Sequence, residues 1–293
     1  MDLIKDIKQK IRHGDALTRL IIINVAVFIL INLYLLVLYF MNRNAVDFLG
    51  EDMALSASSS LDKMLHRPWS LITHMFAHIE FGHFFFNLIT LYFMGQLFTQ
   101  IAGSKKLWQI YFLGGTSGYL FFVIIFNLLP RFEGVHMVLG ASAAVMAVSV
   151  AAAVLRPKQM IFIYGVFKVE LRWLVLVLVL LDLASIRTGS NSGGHIGHLG
   201  GAFFGFLYGY QILNGKDITT WLDKLSAYIT SLTGRRKMKV ASRNARARSD
   251  EEFNLEKRKR QKRVDGILDK IGRSGYDALT REEKDFLFKS SQK

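Results

Sequence analysis

An all-α, polytopic membrane protein of six transmembrane helices is what this sequence predicts, and two observations carry that reading. The first is composition: 51% of the 293 residues are hydrophobic and only three are proline, yet the formal charge is +14. Greasy and basic stretches are therefore segregated along the chain. The second is run length: a helix needs roughly 20 apolar residues to cross a bilayer core, and successive runs of that kind lie between Leu20 and Leu213. The chain has no cysteine, which excludes disulfides, thiolate metal sites and cysteine nucleophiles.

The elements follow in order. Residues 1–19 form a charged N-terminal segment, in which Leu3, Ile4, Ile7 and Ile11 recur at helical spacing among lysines and Arg12. A membrane-surface helix and a frayed tail both fit that pattern. The segment is long for a signal peptide and no small-residue cleavage site follows the next apolar run, so that run is expected to be a retained first span. The spans drawn from hydropathy are Leu20 to Met41, His83 to Ile101, Leu107 to Leu129, Met137 to Leu155, Leu171 to Ile186 and His195 to Leu213, together a membrane domain over 20–213. Between the first two spans, Phe48, Leu49, Met53, Leu55, Leu61, Met64, Leu65 and Trp69 are scattered among polar residues. This segment reads as an interfacial lid or re-entrant hairpin. Lys105 and Lys106 follow the second span, Arg156 and Lys158 the fourth, and a basic tail the sixth. By the positive-inside rule both termini are cytoplasmic, and the expected location is the cell's inner membrane.

Residues 214–263 are expected to be an interfacial helix and a basic linker. Trp221, Leu222, Leu225, Tyr228, Ile229 and Leu232 make one apolar face, and Arg235 to Arg263, rich in lysine and arginine, reads as a disordered cytoplasmic linker. Anionic lipid is the partner such a tail would attract, at about 1 kcal/mol per basic residue near the surface. Nucleic acid is not expected, because the run lacks interleaved aromatics and any recognisable module. Residues 264–293 regain periodicity through Ile267, Leu268 and Ile271, break at Gly275, and restart with a capping box from Thr280 to Glu283 before Phe286 and Leu287. A small helical hairpin is expected, docking on a partner or on the membrane domain.

Polar groups inside a membrane are costly enough to count as functional candidates. Because the spans alternate in direction, the N-terminal ends of the second, fourth and sixth lie at one depth, and the notable residues sit there. These are His83 and Asn87, which share a helix face at i, i+4, then Ser142, then His195 and His198. Ser142 is expected about five residues into its helix, roughly 8 Å below the outer rim. Ala143, Ala147 and Ala151 on the fourth span and Gly201, Gly205 and Gly209 on the sixth repeat every four residues, a pattern that lets helix backbones approach closely. Taken singly, each stripe reads as packing, Ser142 as a hydroxyl bonded to its own helix, and His83 and His198 as interhelical hydrogen-bond formers. His74, His78 and His195 read as structural or surface residues. Metal is not expected, since no third ligand of suitable spacing accompanies His195 and His198.

Over Leu20 to Leu213 the sequence resembles the rhomboid intramembrane proteases. The resemblance rests on His83 and Asn87 bracketing three phenylalanines, on Gly140, Ala141, Ser142 and Ala143, and on His198, Leu199, Gly200, Gly201 and Gly205. Arg67, Pro68 and Trp69 resemble the usual ending of the family's membrane-embedded first loop. The resemblance implies a six-helix bundle around an outward-opening cavity, with Ser142 as nucleophile, His198 as general base, His83 and Asn87 on the oxyanion side, and Gly140, Gly201, Gly205 and Met146 packing the site. Two departures stand out: Ala143 replaces a glycine, and Met146 replaces the aromatic residue that stacks on the catalytic histidine. The implied activity is a serine endopeptidase that cuts transmembrane protein substrates near the outer membrane edge, through an acyl-enzyme and without a cofactor. Asp182, the nearby carboxylate, is expected to lie deeper or face elsewhere, which leaves a serine and histidine dyad. The alternatives are a noncatalytic protein of the same fold that binds membrane clients, and a proton-coupled transporter using histidine relays. The second would need polar residues along a whole path, whereas here they cluster at one depth. Oligomeric state has no sequence signature.

Overall fold

The computed structural model describes residues 14–42, 55–132, 134–163, 167–188, 191–232 and 250–291. The expected surface helix over Leu3 to Ile11, the apolar positions Phe48, Leu49 and Met53, and residues 235–249 of the basic run lie outside the described residues. The chain divides into two units, one ending at Ala227 and the other beginning at Tyr228.

In the first unit, α1 (Ala16–Phe40) starts at Asp15, whose Oδ1 accepts from the Thr18 N–H at 2.8 Å, while Ser104 Oγ accepts from the Ala16 N–H at 2.7 Å. Two of the four donors orphaned at a helix start are thereby satisfied. A strand β1 (Ala57–Ser58) and two short helices, α2 (Leu61–His66) and α3 (Ser70–Thr73), lead to α4 (Phe81–Ala102). Gly103, at φ +87°, makes the sharp turn into α5 (Ser104–Leu128), a backbone conformation that side chains disfavour. A strand β2 (Met137–Val138) pairs antiparallel with β1, in the register Ala57 to Val138 and Ser58 to Met137. Then come α6 (Ser142–Leu155), a hairpin of β3 (Met160–Ile163) and β4 (Phe167–Glu170), α7 (Leu171–Thr188), α8 (Ser192–Leu213) and α9 (Thr220–Leu232), whose residues from Tyr228 on belong to the second unit.

Helix α6 is the hub, packed against α4, α5, α7 and α8. It is alanine-rich, which favours helix and permits close approach, and it is buried from Ala147 through Ala153. On α1 and α7 the relation of polarity to depth is inverted: Leu30, Leu33, Val37, Leu180 and Leu181 are all exposed. In water such a surface would drive association; in lipid it is the solvent-facing side. Among the described residues, three helices, Ala16–Phe40, Phe81–Ala102 and Ser104–Leu128, are long and apolar enough to cross a membrane by length and composition, and Ser142–Leu155 is apolar but shorter.

The small-residue stripes meet as the sequence suggests. A Cβ added to Gly201 would collide with the Ala143 carbonyl oxygen, and one on Gly205 with that of Ala147. A third stripe escaped the sequence reading: Gly114 and Gly118 of α5 lie against Ala147 and Ala143, and Gly118 also against Gly197 of α8. Polar groups cross-link the bundle elsewhere. Asn24 Nδ2 donates to Tyr111 Oη at 3.2 Å, and Tyr111 donates to the Met75 carbonyl at 3.1 Å. At the start of α5, Lys106 bonds Asp217, Thr219 and Asp223, while Lys105 bonds Asp223. The Lys105 ammonium, with Lys106 and Gln109, holds the Asp223 carboxyl down to about 2.

Two expectations are corrected. The fourth helix begins at Ser142, five residues later than Met137, because Met137 and Val138 are taken by the strand pair and Gly140 adopts φ +127°. Part of the expected linker is helical: α10 (Asp250–Ser274) extends through the basic residues up to Arg263. In this second unit a 3₁₀ turn (Tyr276–Ala278) separates α10 from α11 (Arg281–Ser291). The capping box is formed, since the Glu283 N–H donates to Thr280 Oγ1 at 3.3 Å and the Thr280 N–H to Glu283 Oε2 at 2.8 Å. Ile267 and Leu279 are its buried pair.

The interhelical contact yields a stability prediction. Gly201→Val drives a branched side chain into the Ala143 backbone and is expected to destabilise the bundle by at least about 1 to 3 kcal/mol. Gly82→Ala, whose Cβ would meet nothing within 4 Å, is expected to change stability by no more than about 1 kcal/mol. Thermal unfolding of both variants in detergent micelles checks the contrast.

Candidate active site

Ser142 is the first residue of α6, so its N–H belongs to the first turn, where helix donors have no intrahelical acceptor. The backbone leading into it is held from one side by two histidines. Gly140 donates its N–H to the His74 carbonyl at 2.8 Å, and Ala141 donates to His78 Nε2 at 3.1 Å. Asn87 Nδ2 lies 3.2 Å from the same His78 nitrogen. With two donors on Nε2, the ring proton sits on Nδ1, which bonds the Phe76 carbonyl at 3.3 Å. His78 is thus a fixed, neutral acceptor that ties α4 to the start of α6. It is structural and fully buried, which removes the surface alternative. His74 is buried as well, donating from Nδ1 to the Ser70 carbonyl at 2.7 Å and resting edge-on against Tyr119. Burial pushes both imidazoles down to about 4.

A cavity of about 280 Å³ opens beside Ser142, with Asn87, Met146, Asp182, His195 and His198 also in its wall. Ser142 and His198 share a second, smaller cleft with His74 and Gly140. Met146 therefore lines the site, and Gly201 and Gly205 set the separation of α6 and α8 that brings His198 to Ser142. Gly140 has a different role from helix packing: it lies outside any helix, and a Cβ there would strike His83 Cε1 at 2.6 Å. His83 is not among the residues of the cavity wall. Its ring meets Gly140 and stands edge-on to His78 at 5.3 Å.

Asp182 overturns the expectation that it lies too deep or faces elsewhere. On α7, its Oδ1 is 2.8 Å from His198 Nδ1 and 2.7 Å from His195 Nδ1. An ionised carboxylate only accepts hydrogen bonds, so both rings carry their proton on Nδ1. In the neutral ring Nε2 of His198 is then the unprotonated nitrogen, and it is buried with no hydrogen-bond partner. Ser142 and His198 share a cavity wall but are not hydrogen-bonded to one another. Such bonds are often long before substrate arrives and tighten in the complex. Asp182 is also the third donor that the metal argument lacked, since one ligand atom from each of Asp182, His195 and His198 falls within 4.8 Å of the others. Their contacts of 2.7 and 2.8 Å are hydrogen-bond distances, shorter than the roughly 3.3 Å between tetrahedral ligands of an ion at about 2.0 Å. The sequence did hold a signal for this partnership: a lone carboxylate in an apolar helix has to be paired, and the next helix supplies two histidines.

A profile of the Rhomboid domain matches residues 65–215, and a profile described as a family of unknown function (DUF6576) matches residues 248–293. The chain is similar to RHOMBOID-like protein 12, mitochondrial, of Arabidopsis thaliana, at 26% identity over 219 residues that make up 71% of this chain and 61% of that protein. It is also similar to Rhomboid protein 1, mitochondrial, of Saccharomyces cerevisiae, at 30% identity over 145 residues, 49% of this chain and 41% of that protein. The matched region spans about three-fifths or less of each relative's length. Both relatives carry a mitochondrial designation, and they lend the expected cell-membrane location no support.

The buried histidines generate a pH prediction. Both titrate lower in the folded protein than the ordinary 6.5. Their contribution to stability is therefore complete above about 6.5 and is lost as pH falls toward 4. The melting temperature in detergent is expected to drop across that window, and His74→Phe, which removes one of the two groups, is expected to flatten the dependence.

Proposed function

The chain belongs to the rhomboid family, and we propose that it is an intramembrane serine endopeptidase that cleaves transmembrane protein substrates. The observation that supports this best is the buried, unpartnered Nε2 of His198 in the wall of the cavity that also holds Ser142. A basic nitrogen kept free of partners in a buried site costs stability, and taking the proton of a serine hydroxyl is the use that its surroundings suit. In this reading the bundle crosses the membrane six times, with both termini on the side enriched in lysine and arginine.

The chemistry runs as follows under that proposal. His198 Nε2 accepts the Ser142 hydroxyl proton as Oγ attacks the scissile carbonyl. The resulting oxyanion is stabilised by the Ser142 N–H at the start of α6 and by Asn87, whose amide is oriented by His78, with His83 as the third candidate donor. His198 returns the proton to the leaving amine, and water releases the acyl-enzyme. Backbone carbonyls of a substrate helix are locked in their own hydrogen bonds, so substrates with helix-weakening residues near the membrane edge should be cut fastest.

The test uses the full chain in liposomes with a fluorogenic transmembrane peptide. Ser142→Ala and His198→Ala are each expected to abolish cleavage, and Asn87→Ala to slow it roughly 100-fold to 1000-fold. If several unrelated transmembrane substrates stay intact and a fluorophosphonate fails to label Ser142, the protease reading is wrong and noncatalytic client binding takes its place.

A further inference from the structure

Asp182 stands on an apolar helix between lipid-facing Leu181 and Leu183, and its carboxylate is 11% exposed. A charge in such a place must be paired or neutralised. It is paired twice, by the Nδ1 groups of His195 and His198 at 2.7 and 2.8 Å on a single oxygen. Each bond fixes both the tautomer and the plane of its imidazole. For His198 the consequence is chemical, because a neutral imidazole with its proton on Nε2 cannot accept one from serine. Met146, which shares the cavity wall with His198, has three rotatable bonds and holds a neighbour loosely. A carboxylate hydrogen bond supplies the orientation that a thioether cannot.

We infer that Asp182 is a positioning residue for the proposed reaction: it holds His198 with its proton on Nδ1 and Nε2 toward Ser142, making the site a Ser142, His198 and Asp182 triad in place of a dyad. The inference rests on the assignment of Ser142 and His198 as nucleophile and base. When Ser142 Oγ bonds the substrate carbonyl carbon, its proton moves to His198 Nε2 and the carbonyl electron pair moves onto oxygen. The Nδ1 proton stays where it is. The new imidazolium faces the Asp182 carboxylate at 2.8 Å, which offsets its charge without itself being protonated. His195 donates to the same oxygen from one turn away and anchors the carboxylate between the two rings.

The experiment compares the full-length chain with Asp182→Asn, Asp182→Glu and His195→Gln in liposomes. Asp182→Asn is expected to lower kcat by about 100-fold to 10,000-fold with KM changed less than about threefold, and Asp182→Glu to recover part of the loss. Nitrogen-15 NMR of labelled histidine in the His195→Gln background gives a readout that needs no turnover. His198 should show a protonated Nδ1 and a bare Nε2, and that pattern should be lost when Asp182→Asn is added. If Asp182→Asn leaves kcat and the His198 tautomer as they were, or changes only the melting temperature, the inference is overturned while Ser142-dependent cleavage keeps the protease reading intact. If a chelator abolishes cleavage and Zn²⁺ restores it, the three side chains are metal ligands and the inference is likewise overturned. If the native chain neither cuts nor labels, the protease reading fails and this inference fails with it.

Discussion

The near-contact of α6 and α8 is the constraint on which the rest depends. At Gly201 and Gly205 the two backbones approach until the carbonyls of Ala143 and Ala147 occupy the space where a Cβ would be. In a lipid environment there is little hydrophobic force to bring helices together, so close van der Waals packing of small residues carries the association. Serine is a short side chain on one helix, and the histidine that shares its cavity is on the other. Only a glycine seam brings both to one cavity without a loop insertion. Gly114 and Gly118 of α5 lie against the same two alanines, and Gly118 also meets Gly197 and Gly200 of α8, so the three helices pack mutually and hold α6 in place.

A second constraint follows from burying polar groups around α6. Each must find a partner inside the protein, since water is scarce and an unpaired group costs about 1 to 3 kcal/mol. The protein meets this with short relays that also join elements far apart in sequence. Asn24, Tyr111 and the Met75 carbonyl connect α1, α5 and the segment before α4. Asn87, His78 and Ala141 connect α4 to the entry of α6. Asp182 with His195 and His198 connects α7 to α8. In each case buried side chains satisfy one another across elements that are distant in sequence.

The sequence showed the helices well because apolar run length is a local property: the start of the fifth span at Leu171 and the end of the sixth at Leu213 agree with the structure. The start of the fourth helix was misplaced because Met137 and Val138 are apolar and continue the run, and only a strand 79 to 81 residues away, at Ala57 and Ser58, takes them out of the helix. Nothing local records that pairing. The small-residue seam was legible as a four-residue repeat. Asp182 was misread for a geometric reason: depth along a helix can be counted from sequence, but the tilt of α7 and the face it turns toward α8 cannot. For His78 the structural and surface readings both stayed open, since a histidine in a loop carries no periodicity to show that it points inward.

These relays leave a small remainder, and its location is informative. Around Ser142 the polar atoms on two sides are spoken for, by His78 on the α4 side and Asp182 on the α7 side. What they leave unsatisfied is His198 Nε2 and the first-turn donors of α6. His198 and Ser142 share one cavity, whose wall also holds a neutral amide in Asn87. Unpaired buried oxygens occur elsewhere, at Asn24 Oδ1 and Thr99 Oγ1, so it is the position of His198 Nε2 beside Ser142, and not its being unpaired, that sets it apart. Here the neighbouring relays actively hold His198 Nε2 and the first-turn donors of α6 open, since His198 cannot turn without breaking its bond to Asp182, and Ala141 cannot shift without losing His78. Under the proposed protease reading, an incoming peptide carbonyl and its developing charge would supply the partners missing here, and that is the physical content of preorganisation.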